Sequence, residues 1–188
     1  MKKFVIPLIC LALLCACALG ESATGSPSAA ASATVSVTPS PTPSPTPIPD
    51  GDAFVCDELS LNLPYGLALM DETALAGYEA AVQADYEDTA RTLAVASNES
   101  GAMMMLAICE TEDDCLTAAS EASADILGED ASVTQLQFGD NSCAAFACSI
   151  QDREYRIYFF SNGAQLLCVG TSGLTDAQIS ASLESLKF

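Results

Sequence analysis

Apolar positions between residues 53 and 188 repeat with two periods, and the changes of period mark the elements. Leu59, Leu61 and Leu63 alternate with Ser60 and Asn62, which predicts a half-buried strand over residues 55–63, ended by Pro64 and turned at Tyr65-Gly66. Asp71 then opens an alanine-rich helix to about Tyr86, with Leu75, Tyr78, Val82 and Tyr86 at helical spacing. Residues 91–97 and 102–109 read as two strands around a hairpin loop, Asn98-Glu99-Ser100-Gly101. In the second of them Met103, Met105 and Ala107 fall on one face and Met104, Leu106 and Ile108 on the other. Both faces are apolar, so this strand is expected inside a sheet covered on both sides, with its methionines as core filling.

The second half continues in the same way. Thr111 with Asp114 resembles a capping box and opens a helix that carries Leu116, Ile126 and Leu127 and stops at Gly128. The acidic group Glu110, Glu112, Asp113 and Asp114 then sits at a helix N-terminus, where the macrodipole favours negative charge. The same group lacks the alternating ligands and central glycine of an EF-hand calcium loop. Residues 132–138, 143–151, 154–161 and 165–170 read as strands, turned at residues 139–142 and at Asn162-Gly163, the latter a two-residue hairpin signal. Thr175 with Gln178 is another capping box, and Ile179, Leu183 and Leu186 share one face of the last helix. A strand, a helix, a hairpin, a helix, an antiparallel meander and a helix predict an α+β domain with a mainly antiparallel sheet covered by helices.

The chain before residue 53 obeys other rules. Lys2 and Lys3 precede an apolar run from Phe4 to Leu14, too short to span a bilayer and followed by no charged stop. It closes on Leu14-Cys15-Ala16-Cys17. That ending resembles the lipobox of bacterial lipoproteins: an aliphatic residue, a loosely constrained one, a small one and a cysteine. The resemblance implies that residues 1–16 are a signal peptide and that the Cys17 thiol carries a diacylglycerol and becomes the new N-terminus. Cys10 and Cys15 follow Ile9 and Leu14, which are too large for the small-residue position. Residues 17–52 are rich in Ser, Thr, Ala and Pro and end in alternate prolines from Pro39 to Pro49. Alternate proline forbids helix and removes ladder donors, so this part is expected to be an extended spacer, about 3.1 Å per residue.

Charge narrows the partners. After residue 16, four basic residues (Arg91, Arg153, Arg156 and Lys187) face all 25 acidic ones, a formal charge of −21. Such a chain repels nucleic acid and anionic headgroups, leaving the lipid on Cys17 as the membrane partner and an envelope protein or small ligand as the other. Histidine is absent, which removes the commonest general base and transition-metal ligand. No serine-nucleophile elbow, P-loop or dinucleotide fingerprint occurs. Carboxylate pairs could act as acid and base, but with 25 available none is singled out. No catalytic residue, cofactor or metal ligand is assigned. Arg156, Tyr158 and Phe160 share one face of a strand, with Arg156 expected to reach solvent at a sheet edge.

Six cysteines fall in the domain: Cys56, Cys109, Cys115, Cys143, Cys148 and Cys168. An even number outside the cell invites disulfides. Cys109 and Cys115, at a strand end and the next helix start, are the pair close enough to bridge. Counting back from the two hairpins puts Cys148 and Cys168 on either side of Ile157, two strands apart and beyond disulfide reach. Cys143 and Cys148 lie five positions apart on one strand and point to opposite faces. Buried thiols are expected for the four cysteines other than Cys109 and Cys115.

The layout of residues 53–188 also resembles the PsbP-like α/β/α sandwich of DcrB-like bacterial lipoproteins. The features that carry it are Leu61-Asn62-Leu63-Pro64-Tyr65-Gly66, the strand-rich second half, and the closing helix ending Leu183-Glu184-Ser185-Leu186-Lys187-Phe188. It implies an accessory or binding module of the cell envelope, lipid-anchored and extracytoplasmic. An envelope enzyme using carboxylate acid/base chemistry is the alternative, and a ligand-free spacer module a third.

Overall fold

The alternating runs become one seven-stranded antiparallel sheet in the computed structural model, which describes residues 49, 51–83, 90–128 and 132–188. In chain order the elements are β1 (Ala53–Val55), β2 (Ser60–Asn62), β3 (Ala68–Leu69), α1 (Glu72–Gln83), β4 (Ala90–Ser97), β5 (Met103–Glu110), α2 (Cys115–Leu127), β6 (Thr134–Phe138), β7 (Asn141–Ile150), β8 (Arg153–Ser161), β9 (Gln165–Ser172) and α3 (Asp176–Glu184). The sheet runs β3-β4-β5-β9-β8-β7-β6, and β1 with β2 forms a separate ribbon. The domain is α+β, with its sheet covered on both faces.

Each face has its own core. On one, Met103, Met105 and Ala107 of β5, Phe146 of β7, Ile157 and Phe159 of β8, and Cys168 of β9 pack under α2, with Leu75 of α1 at the margin. On the other, Met104, Leu106, Tyr158, Phe160 and Val169 pack under Ile179 and Leu183 of α3 and under Leu59, Leu61 and Leu63 of the ribbon. Strand β5 is third in the sheet and is buried from Met103 to Cys109, as its two apolar faces require. Ser182 and Ser185 fasten α3 to β2: the Ser182 hydroxyl donates to the Asn62 carbonyl, and the Asn62 N–H donates to the Ser185 hydroxyl at 2.7 Å.

Several local expectations change. The strand over residues 55–63 is two strands, because the chain reverses between Cys56 and Leu59, where the Cys56 N–H donates to the Leu59 carbonyl at 2.9 Å. Arg91 on β4 pairs with Glu58 in that reversal, holding the Glu58 carboxyl below its usual range. Asp114, not Thr111, caps α2: its carboxylate accepts the N–H groups of Leu116 and Thr117, each at 2.9 Å, and its bonds to Thr117 above all hold it below the usual range. The buried stripe of α2 is Ala118, Ala119, Ala122 and Ser123, whereas Leu116 and Leu127 face outward. Gly128 ends the helix as expected. Helix α1 starts at Glu72 after Asp71, whose carboxylate accepts the Ala74 N–H. The side chains of Tyr78 and Val82, and the whole of Tyr86, lie outside the described residues.

The capping box of α3 forms in full. The Thr175 hydroxyl accepts the Gln178 N–H, and the Gln178 side chain accepts the Thr175 N–H at 3.0 Å. Thr175→Ala is expected to cost about 0.5–2 kcal/mol of folding free energy, measured by urea unfolding; Thr175→Ser should cost much less. Equal losses in the two variants would mean that the methyl group, not the cap, matters there.

Candidate functional site

Since helices and ribbon occupy both sheet faces, open polar surface lies at the strand ends. One pocket of about 380 Å³ opens where the β4–β5 and β7–β8 turns meet the start of α3. The β7–β8 connection is Gln151-Asp152, with φ of 51° and 62° at its two residues. Two positive values in a two-residue loop suit the right-handed twist of the strands it joins, and they launch β8 at Arg153. In the β4–β5 turn the Asn98 side chain accepts the N–H groups of Ser100 and Ala102 at 3.1 and 3.0 Å. Gly101 sits there at φ 81°, and a Cβ on it would stand 3.1 Å from an Arg153 Nη2. Glycine thus serves two ends, the left-handed backbone and the close approach of a guanidinium.

Arg153 is held from the other side as well. Its Nε donates to the Ser172 hydroxyl at 3.0 Å, and that hydroxyl donates to the Glu154 carbonyl at 2.7 Å. Thr171 donates its own hydroxyl to the Arg156 carbonyl at 3.3 Å. Both hydroxyl protons are therefore committed to backbone. Arg156 pairs with Asp176 in the first turn of α3, an ion pair that raises the guanidinium pKa further. The Tyr158 hydroxyl lies beside it, and burial pushes that phenol up against the opposing pull of Arg156.

Arg156, Tyr158 and Phe160 do fall on one face, but β8 is an inner strand between β9 and β7. Arg156 reaches solvent past the end of the sheet, beside α3, and not at an edge strand. Periodicity does not single out Arg153, yet a signal exists: two of the four cations after residue 16 fall within four positions.

A second, more open groove of about 670 Å³ runs between the β1–β2 ribbon and the C-terminal residues. Phe54, Leu186 and Phe188 line it, and Asn141 spans it by donating to the Leu186 carbonyl at 2.8 Å.

The cysteines are all thiols among the described residues. Cys109 and Cys115 are not bridged. The Cys109 sulfur faces the sheet and donates to the Leu166 carbonyl of β9 at 3.8 Å, while Cys115 is half-buried at the start of α2. Cys56 is half-buried too, not buried as expected, because it lies at the reversal between β1 and β2. Cys148 and Cys168 share one core without flanking Ile157. Cys148 pairs with Tyr155 and Cys168 with Phe159, and the neighbours of Ile157 are Phe146 and Gly170. Cys143 and Cys148 lie on opposite faces, as their spacing requires. Burial pushes the Cys109 thiol up to about 11 and Cys143 to about 12, and raises Cys148, so these sulfurs are poor nucleophiles. Cys17 lies outside the described residues.

No known protein family and no curated protein matches the chain. Among solved structures it is similar to a protein of Bacteroides thetaiotaomicron VPI-5482, with 11% identity and a TM-score of 0.46, over 73% of this chain. The match spans about half of that neighbour, 48% of its length.

Proposed function

We propose that this chain is an extracytoplasmic bacterial lipoprotein, tethered to the cell membrane by acyl chains on Cys17, whose domain is a binding module of the cell envelope. The observation that carries the proposal is Leu14-Cys15-Ala16-Cys17 at the end of a short apolar run behind Lys2 and Lys3. From its composition alone the proline-rich end of the spacer, residues 39–49, is expected to reach about 30 Å at 3.1 Å per residue, and all of it but residue 49 lies outside the described residues. Such a distance, with the excess of acidic groups, would keep the domain clear of the bilayer. No helix among the described residues is long and apolar enough to cross a membrane. The order of elements and the layers on both sheet faces support the PsbP-like, DcrB-like assignment. With both faces occupied, binding falls to the strand-end pocket and the groove beside the C-terminus.

The test is Cys17→Ala in the full chain. Each acyl chain contributes about 0.8 kcal/mol per buried CH₂, so losing them should release the protein from the membrane fraction. Labelling with a fatty-acid analogue should vanish as well. A variant that still labels and still sediments with membranes ends the proposal.

A further inference from the structure

We infer that the strand-end pocket binds a small ligand bearing an oxyanion, a carboxylate or a phosphate, with Arg153 as its fixed wall and Arg156 as the arm that leaves Asp176 to hold it. This rests on the reading of the domain as a binding module and names the ligand class of one site.

Three observations converge there. Only four cations follow residue 16, and two of them line this single pocket. The Thr171 and Ser172 hydroxyls that also line it have given their protons to backbone carbonyls, and the charged donors of the pocket are its two guanidinium groups. A guanidinium presents parallel N–H bonds that match the two oxygens of a carboxylate or phosphate. Finally, Arg156 is held by a partner it can exchange. The Arg156 and Asp176 side chains are 46% and 81% exposed, and such pairs contribute about 0–1 kcal/mol in water. An anion deeper in the pocket can therefore take the place of Asp176.

Charge also sets the size of the ligand. Asp152, Glu154 and Asp176 outnumber the two arginines by one locally, and the domain as a whole is strongly acidic. A polyanion would meet that field across its whole length. A small anion inside the pocket is screened from charges more than about 8 Å away at physiological ionic strength.

The experiment is calorimetric titration of the full-length lipidated chain in detergent, with inorganic phosphate and, separately, malonate, at constant ionic strength set by chloride. Saturable binding of phosphate alone points to a phosphate ester, and of malonate alone to a carboxylate. Asp176→Asn should tighten binding about two- to fivefold, because it removes the competing carboxylate and leaves the α3 N-terminus intact. Arg156→Lys should weaken it about tenfold, since lysine keeps the charge and loses the fork. Both substitutions are at exposed positions, and unchanged melting temperatures would show that folding is intact. No saturable binding of either probe overturns the inference, as does Asp176→Asn binding no better than the parent. Suppose neither probe binds, yet the membrane-extracted chain retains a co-purifying envelope protein that Arg156→Lys leaves in place. The binding-module reading then stands and the pocket inference alone falls.

Discussion

Phe159→Ala is expected to destabilise the domain by about 3–5 kcal/mol, the range for emptying an aromatic from a core that cannot collapse. Phe159 is fully buried on β8, between Ala144 of β7 and Cys168 of β9, and its ring stacks on Phe146 at a centroid distance of 6.3 Å. The helix above offers nothing to fill the gap, because the face α2 turns inward is Ala118, Ala119, Ala122 and Ser123. Small residues let the helix approach the sheet closely, so the volume of this core comes from the strands. A domain of this size has about 5–15 kcal/mol of stability, and one such substitution removes a large part of it. Leu136→Ala on β6, where the side chain is 38% exposed, is the contrasting case and should cost much less. Urea unfolding of both variants checks this; comparable losses would mean that β6 is covered in solution.

Four thiols are expected to resist alkylation until the domain unfolds. Cys109, Cys143, Cys148 and Cys168 are buried, whereas Cys56 and Cys115 are half-buried. Reaction needs both access and thiolate, and burial suppresses the two together. With global stability of at least about 5 kcal/mol, the buried set should react about a thousandfold more slowly without denaturant than with it. Peptide mapping after maleimide treatment reports each cysteine separately. The melting temperature should also be unchanged by reductant, since no bridge contributes. Labelling of Cys148 or Cys168 at the rate of Cys56 in native buffer would contradict the burial. A lowered melting temperature on reduction would show that disulfides form after all.

Legibility follows how local the cause is. Strand β5 is readable because Met103 to Cys109 leave no polar face, and α3 because Thr175 and Gln178 cap it within one turn. The Gln151-Asp152 turn carries no glycine or proline, so nothing in its composition announces two positive φ values. Asn162 is legible as a turn residue but its task is not: its side chain accepts the N–H groups of Ala164 and Gln165, and the reversal falls one residue later than expected. The inward stripe of α2 escapes a search for leucine, the usual sign of burial, because the sheet's aromatic rings select alanine there. The pocket needs three distant segments brought together, and of its arginines only Arg156 stands out from the alternation. Counting from the hairpins puts Cys148 and Cys168 two residues out, because turn length sets register and composition alone does not reveal it.

The position of β9 has a bearing on how the chain is made. Among the described strands it is the last in chain order, yet it lies in the middle of the sheet, pairing with β5 through eight residue positions and with β8 on its other side. Without it, β3-β4-β5 and β6-β7-β8 are two separate three-stranded pieces, each with a bare hydrogen-bonding edge. A nascent chain lacking residues from 165 onward therefore holds most of the apolar surface of the domain and no means of joining it. The two halves of the sheet can join only once Gln165–Ser172 is available, so this pairing closes late and through contacts far apart in sequence.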